Sequence, residues 1–297
     1  MQIFTTVSAM ALLFLPAWVR AQSLFGGFMN GDGRGAVALS YTAERYSEVF
    51  LVPADADRVP IFNKMEVNSI NLYATYGLSP RLDFVLNLPY IQAKGHASQA
   101  TLEELGFKNE RKGLQDISIY LKYRIRSIAL GAYRMDFLAA GGVRTPVSNY
   151  EVERGLQSIV AIGNRASTLN GIGVVHFRTR IGFYLTGQGG YSYRTGQVPD
   201  AFVGEARVGY GTRRFQVAAW YAQQVSTGGV HILGEGFDGF FPATDVSYTR
   251  AGLNVYVPTV SGFGVSAGVN KYVSGRNVGK AIVFTGAVVF AFRTSSN

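Results

Sequence analysis

The chain has 297 residues, 47% of them hydrophobic, with 36 Gly, 20 Phe, 17 Tyr and no Cys, which excludes a disulfide scaffold, a thiolate metal site and a lipidated N-terminal Cys. Its formal charge is +9, but the Lys and Arg are scattered rather than clustered. Nucleic acid is therefore set aside as a partner, and an anionic lipid surface or an anion-attracting interior remains. Mean hydropathy is only +0.11, and no uninterrupted apolar run beyond the N-terminus reaches the roughly 20 residues of a membrane helix.

Residues 1–21 read as a signal peptide. Residues 3–18 are largely apolar, and Val19-Arg20-Ala21 supplies the cleavage region before Gln22. The n-region lacks Lys and Arg, so a retained N-terminal anchor is the alternative. Residues 22–34 form a short, polar, Gly-rich segment (Asn30-Gly31-Asp32-Gly33-Arg34-Gly35). It is too short for a domain but of a size to tuck into a barrel mouth as a plug. Residues 35–297 show no linker, repeat or second domain.

Over Asp116 to Ile125 the odd positions Ile117, Ile119, Leu121, Tyr123 and Ile125 are apolar, and the even ones are polar or amphipathic. Period two makes this a strand with one apolar and one wet face. The pattern recurs over 35–48, 65–78, 81–95, 114–126, 130–146, 166–179, 181–195, 201–211, 214–226, 245–258, 262–274 and 281–292. The apolar sets are consistent, as in Leu82, Phe84, Leu86 and Leu88, or Phe284, Val288, Phe290 and Phe292. About twelve strands of this kind predict an all-β fold, a transmembrane antiparallel up-and-down β-barrel, apolar toward lipid and polar toward a lumen.

The connections alternate in length. Short ones fall near Ser79-Pro80, Ser127, Thr179-Arg180, Thr212-Arg213 and Ser261. Longer or more variable ones fall near 49–64, 96–113, 147–165, 196–200, 227–244 and 275–280. Outer-membrane barrels have short periplasmic turns and longer outside loops, so the N-terminus is expected to be periplasmic. The last strand ends in Phe290-Ala291-Phe292, a terminal aromatic of the sort read by barrel-assembly machinery, although Arg293 to Asn297 follow it.

Several segments resemble one family of bacterial outer-membrane barrels. The first is Tyr76-Gly77-Leu78-Ser79-Pro80-Arg81-Leu82, followed by Leu88-Pro89-Tyr90. The second is Gly113-Leu114-Gln115-Asp116-Ile117-Ser118, continuing through Leu121-Lys122-Tyr123-Arg124. The third is Arg144-Thr145-Pro146-Val147-Ser148-Asn149-Tyr150, and the fourth is Gly275-Arg276-Asn277-Val278-Gly279-Lys280. They span most of the mature chain in order. The family is the outer-membrane β-barrel transporter family named for the meta pathway of phenol degradation, distantly akin to the long-chain fatty-acid channels. The resemblance implies a Gram-negative, porin-like transporter for the passage of small, apolar or aromatic solutes.

Strand parity sends charges of both signs inward: Arg81, Asp83, Asp116, Lys122, Arg124, Arg134, Asp136, Arg144, Arg178, Arg194, Glu205, Arg207 and Arg250. If the fourth and fifth strands turn around Ser127, Lys122 lies opposite Arg134, with Asp136 a diagonal neighbour. Two readings stand: a charged constriction that selects solutes, or a wall-to-wall ion-pair network that fills a modest lumen. The basic excess leans toward anion tolerance.

Enzyme signals are poor, and no catalytic residue, metal ligand or cofactor is assigned. His96, His176 and His231 are far apart in the expected topology. Gly234-Glu235-Gly236-Phe237-Asp238-Gly239 spells GxGxxG, but no helical pattern follows it. A passive channel for small solutes is the leading reading. A structural or adhesive barrel with a closed lumen is the alternative, and an outer-membrane hydrolase the third.

Overall fold

The computed structural model describes residues 25–294; the expected signal peptide and residues 22–24 of the following segment lie outside them. Twelve long strands make the wall: β1 (Arg34–Tyr46), β2 (Met65–Ser79), β3 (Leu82–Gly95), β4 (Asp116–Leu130), β5 (Tyr133–Pro146), β6 (Thr168–Thr179), β7 (Phe183–Arg194), β8 (Ala201–Gly211), β9 (Gln216–Ser226), β10 (Ser247–Pro258), β11 (Phe263–Arg276) and β12 (Ile282–Arg293). Each pairs antiparallel with its chain neighbours, and β12 closes on β1 with Arg34 opposite Arg293 and Gly35 opposite Phe292. The result is a closed up-and-down barrel, whose twelve wall strands are each paired on both sides.

The alternation that predicts the strands also decides what faces where. On β4, Leu121 is 50% exposed on the outer wall, whereas its neighbours Tyr120 and Lys122 are 2% and 4% exposed in the bore. Outward aromatics gather toward the short-turn end. Tyr133 stacks on Phe177 with centroids 5.4 Å apart, Phe183 meets Tyr210 at 4.8 Å, Phe263 meets Phe290 at 4.9 Å, and Tyr76 stacks on Phe292 at 6.2 Å. Near the other end Tyr191 meets Phe202 at 5.0 Å. An apolar band flanked by aromatics is the outer surface of a membrane-spanning barrel. Among the described residues no helix is long and apolar enough to cross a membrane.

One register differs from expectation. The fourth strand does not stop at 126 but runs to Leu130, and the turn lies at Gly131-Ala132, with Leu130 paired to Tyr133. A bulge at Ile125 shifts the register between Arg124 and Arg126, so Ser127, not Arg126, comes to lie opposite Asp136. A bulge inserts one residue and flips the parity beyond it, which the alternation seen up to Ile125 could not announce. With the turn at Gly131-Ala132 instead of Ser127, Lys122 is opposite Ala140 rather than Arg134, and on its other side it is opposite Asp83.

At the short-turn end the connections are tight. Gly182 has φ +103, and a Cβ there would stand 2.3 Å from the Gly211 carbonyl oxygen, so the turn between β6 and β7 depends on glycine. At the other end residues 47–64, 96–115, 147–167 and 227–246 fold over the barrel. They carry one short helix, α1 (Gln99–Leu105), whose Ser98 Oγ accepts a hydrogen bond from Thr101 N and whose C-terminus ends on left-handed Gly106. Val59, Phe62, Met65, Leu102 and Val160 form a small buried core among these loops.

Candidate solute path through the bore

The half of the bore nearer the short turns is filled. Residues 25–30 run inside it. Phe25 is buried against Val85, Tyr120, Leu138, Ala140, Ile172 and Val174, with its ring edge-on to Tyr120 at 4.8 Å. Phe28 sits edge-on to His176 at 4.3 Å and to Tyr184 at 5.2 Å. Gly27 passes so close to the wall that a Cβ there would lie 2.2 Å from His176 Nδ1. Polar contacts hold the backbone of the same segment. Lys122 Nζ donates to the Phe28 carbonyl at 2.7 Å and to that of Gly26 at 3.3 Å, and stands 3.3 Å from Asp83 Oδ2. Asp83 Oδ2 in turn accepts from Asn30 N at 3.0 Å and Asn30 Nδ2 at 3.2 Å, and Asn30 Nδ2 also donates to Thr75 Oγ1 at 2.7 Å. A buried ion pair, expensive if isolated, is thus completed by the N-terminal segment.

Two more inward cations of this half have a carboxylate beside them. Arg134 Nε lies 3.1 Å from Asp136, and Arg207 Nη2 lies 3.0 Å from Glu205. Arg178 is paired across the ladder with Arg134, and His176 with Asp136; His176 Nδ1 shares a 2.8 Å hydrogen bond with Thr186 Oγ1. Arg124 caps the turn below by donating to the Pro80 carbonyl. Arg81 is a correction: it lies in that turn, exposed, one residue before β3 begins. Alternation has no meaning outside a strand, so its parity did not place it in the bore.

Above the segment lies a cavity of about 360 Å3, within the range of roughly 300–1,000 Å3 for small-molecule sites. Its wall is mostly hydroxyl and amide, with Ser40, Thr42, Asn71, Asn170 and Ser192 among the lining residues, and it carries three guanidinium groups, from Arg144, Arg194 and Arg250. Arg144 and Arg194 flank Thr168 on one rung of the sheet. Arg194 donates to Gln224 Oε1 at 2.9 Å and to the Pro199 carbonyl at 3.2 Å, and Arg144 donates to Ser118 Oγ at 3.4 Å. Arg250 is held by aromatic faces, with its guanidinium carbon 5.2 Å from the ring centre of Tyr248, 5.3 Å from Tyr272 and 5.9 Å from Trp220. No acid lines this cavity. Asp116, inward near its rim, accepts from Tyr150 Oη at 2.6 Å. Burial, with that contact, pushes the Tyr150 phenol, in the loop above, well over its ordinary range.

A second space lies among the long loops. It measures about 270 Å3 and is lined largely by apolar groups, among them Val49, Val59, Leu156, Ile159, Ile232 and Phe241. Two clamps border it. Val49–Phe50 pairs with Val278–Gly279 as a short ladder. Lys280 Nζ bridges Asp55 at 2.8 Å and Glu48 at 2.9 Å, contacts that raise its pKa to about 12. Across the same end Arg154 pairs with Asp238, inside the GxGxxG-like stretch, which is a loop followed by a single 3-10 turn, Phe241–Ala243.

Sequence reasoning did not single out Phe25, Phe28, Gln188 or the hydroxyl lining. Parity sends Gln188 and Ser192 inward, but nothing in residues 25–30 announces that their two aromatics dock in the bore. Of the other histidines, His96 lies 3.5 Å from Glu66 and His231 is in the 227–246 loop. Among the described residues no group of three or more His, Asp or Glu side chains is arranged to hold a metal ion.

With this geometry in hand, comparison with solved structures identifies the architecture. The fold is that of an outer-membrane channel from Pseudomonas putida F1. The two share 12% sequence identity and a TM-score of 0.68, over 91% of this chain and 100% of that one. The monoaromatic hydrocarbon channel CymD aligns over 90% of both chains with 10% identity and a TM-score of 0.38. The translocator domain of the autotransporter NalP from Neisseria meningitidis aligns over 89% of this chain and 90% of its own, at 12% identity and a TM-score of 0.43. No family model matches the sequence, and no curated protein does.

Proposed function

We propose that this chain is an outer-membrane channel for the passive passage of small solutes with apolar or aromatic bodies, its long loops outside and its N-terminus periplasmic. The carrying observation is the arrangement along the bore axis: an apolar space among the loops, a polar cavity below it, and beneath both a segment of six residues that fills the bore without being part of the wall. A barrel built only as a scaffold has no use for two stacked cavities of ligand size. The resemblance to the phenol meta-pathway family and the shared fold of the Pseudomonas channel point the same way. In this reading residues 1–21 are removed as a signal peptide, and the last strand with Phe290 and Phe292 is the signal to the barrel-assembly machinery. Apart from Arg81, the charges expected inward divide into a structural ion-pair set and a solute-facing set.

The alternative, a closed structural barrel, draws on the same segment, since residues 25–30 block the bore as they stand. Planar-bilayer conductance and liposome uptake of a small aromatic solute, for the mature chain and for a variant lacking residues 22–30, separate the two. The channel reading expects small conductance that rises on deletion. Silence in both proteins, when each is shown to be folded, rules it out. Orientation is tested on intact cells: a maleimide should label Glu235→Cys and spare Thr212→Cys.

A further inference from the structure

We propose that the polar cavity in the bore binds the carboxylate of a small organic acid through Arg144, Arg194 and Arg250. This deepens the channel reading and rests on it for its biological meaning, though the binding itself does not require flux.

The two deeply buried cations of the bore each have a carboxylate beside them: Lys122 has Asp83 and Arg207 has Glu205. The three cavity arginines have none within 4.0 Å among the described residues. The acids nearby are committed elsewhere or stand behind the lining. Asp116 accepts from Tyr150. Asp200 accepts from Tyr191 Oη at 2.8 Å and from the Arg194 backbone N at 2.6 Å. Glu205, on the adjoining space, is held by Arg207. Glu44 feels the charge of Arg250 but does not line the cavity. The lining is therefore cationic at three points and anionic at none, with Arg194 and Arg250 half-buried and Arg144 exposed.

The chemistry of the partner follows from the donors. A guanidinium presents its N–H groups as a planar fork that matches a carboxylate. Arg250 is held by Tyr248, Tyr272 and Trp220, whose ring centres lie 5.2–5.9 Å from its guanidinium carbon. Hydroxyl and amide groups around the rim satisfy the remaining lone pairs of a carboxylate, and the apolar space among the loops accepts a hydrocarbon body on the way in. A ligand with one charged end and one apolar end fits both stations of the path. A neutral hydrocarbon fits only the first.

Trp220 reports on the site, because it touches Arg250 and is the only Trp after residue 18. The test titrates the purified mature protein in detergent with cyclohexanecarboxylate and with its neutral amide, neither of which absorbs where Trp is excited. Binding is followed by Trp220 fluorescence and, independently, by calorimetry. The acid should bind more tightly by at least about tenfold, the lower end of what a charge-assisted hydrogen bond contributes, and the preference should shrink as salt is raised. Arg144→Gln and Arg250→Gln, each verified as folded by heat-modifiable gel mobility, should lower the affinity for the acid and leave the amide unchanged. Equal binding of acid and amide, no binding of either, or unchanged acid affinity in both variants overturns the proposal. Inorganic phosphate displacing the acid with equal strength overturns the carboxylate assignment. The two readings fail separately: acid preference without flux removes the channel and keeps the site, while flux without acid preference does the reverse.

Discussion

The two halves of the bore handle the same problem, charge inside a membrane barrel, in opposite ways. Toward the short turns each deeply buried cation faces an acid, and the space left over is closed by Phe25, Phe28 and the backbone of residues 26–30. Toward the long loops three arginines line an open, hydroxyl-rich cavity with no acid on its wall. Inward basic residues thus yield a packed floor in one half and a receptive chamber in the other. The difference is the presence of Asp83, Asp136 and Glu205 at matching depth.

The sharpest way to break this comparison is to remove a cation from the floor. Lys122→Met leaves Asp83 buried without its partner and should destabilise the folded barrel by about 3–5 kcal/mol, read by urea unfolding in micelles; adding Asp83→Asn should restore much of it. A mild effect of the single change would mean that the floor pair is not a structural one. Next in size is the outward neighbour. Leu121→Arg should cost about 2–4 kcal/mol if that position lies near the bilayer midplane, measured as urea unfolding in liposomes, and a cost near zero would put the membrane band elsewhere on the wall.

The segment itself is weaker. Phe25→Ala gives up most of the burial of one aromatic ring, about 1.5–3 kcal/mol, so the docked population should fall and bilayer conductance should rise in open-state frequency. Gly27→Phe should act in the same direction through its clash with His176. In the chamber the expectation inverts: Arg144→Gln breaks no ion pair and should change stability by no more than about 0.5 kcal/mol, where a loss like that of Lys122→Met would erase the contrast between the halves.

The smallest expected effect lies at the loop end. Asp238 is held below the usual carboxylate range by the Phe240 backbone N–H and by Arg154. A depressed folded-state pKa means that this contact is present at neutral pH and is lost only as pH falls through the lowered value. Protease sensitivity of loop 227–246 should therefore stay flat from pH 7 to about 4, the ordinary carboxylate pKa, and rise only in stronger acid. A rise near pH 6 would point to another group.

Twelve strands, their order, their lipid-facing sides and the alternation of short and long connections were legible in the sequence, because a period of two repeated end to end has few other physical solutions. Even the error at β4 is instructive. Residues 116–125 alternate cleanly, but the strand continues through a bulge at Ile125 to a turn at Gly131-Ala132, so Lys122 lies opposite Ala140 instead of Arg134, with Asp83 on its other side. For the candidate site the sequence supplied charges but not their pairing: a basic excess leaned toward anion tolerance, and in the folded chain Lys122, Arg134 and Arg207 each lie beside an acid.

What the sequence by itself determined, then, is everything that depends on local periodicity: strand, face, and the presence of many charges inside. What only the tertiary structure decided is which charges meet. Pairing across a barrel depends on register, register on bulges and turns, and a shift of one residue exchanges a partner for a stranger. The same holds for Phe25 and Phe28, which have no pattern of their own and acquire meaning only from the ring of side chains, contributed by strands far apart in the chain, that closes around them.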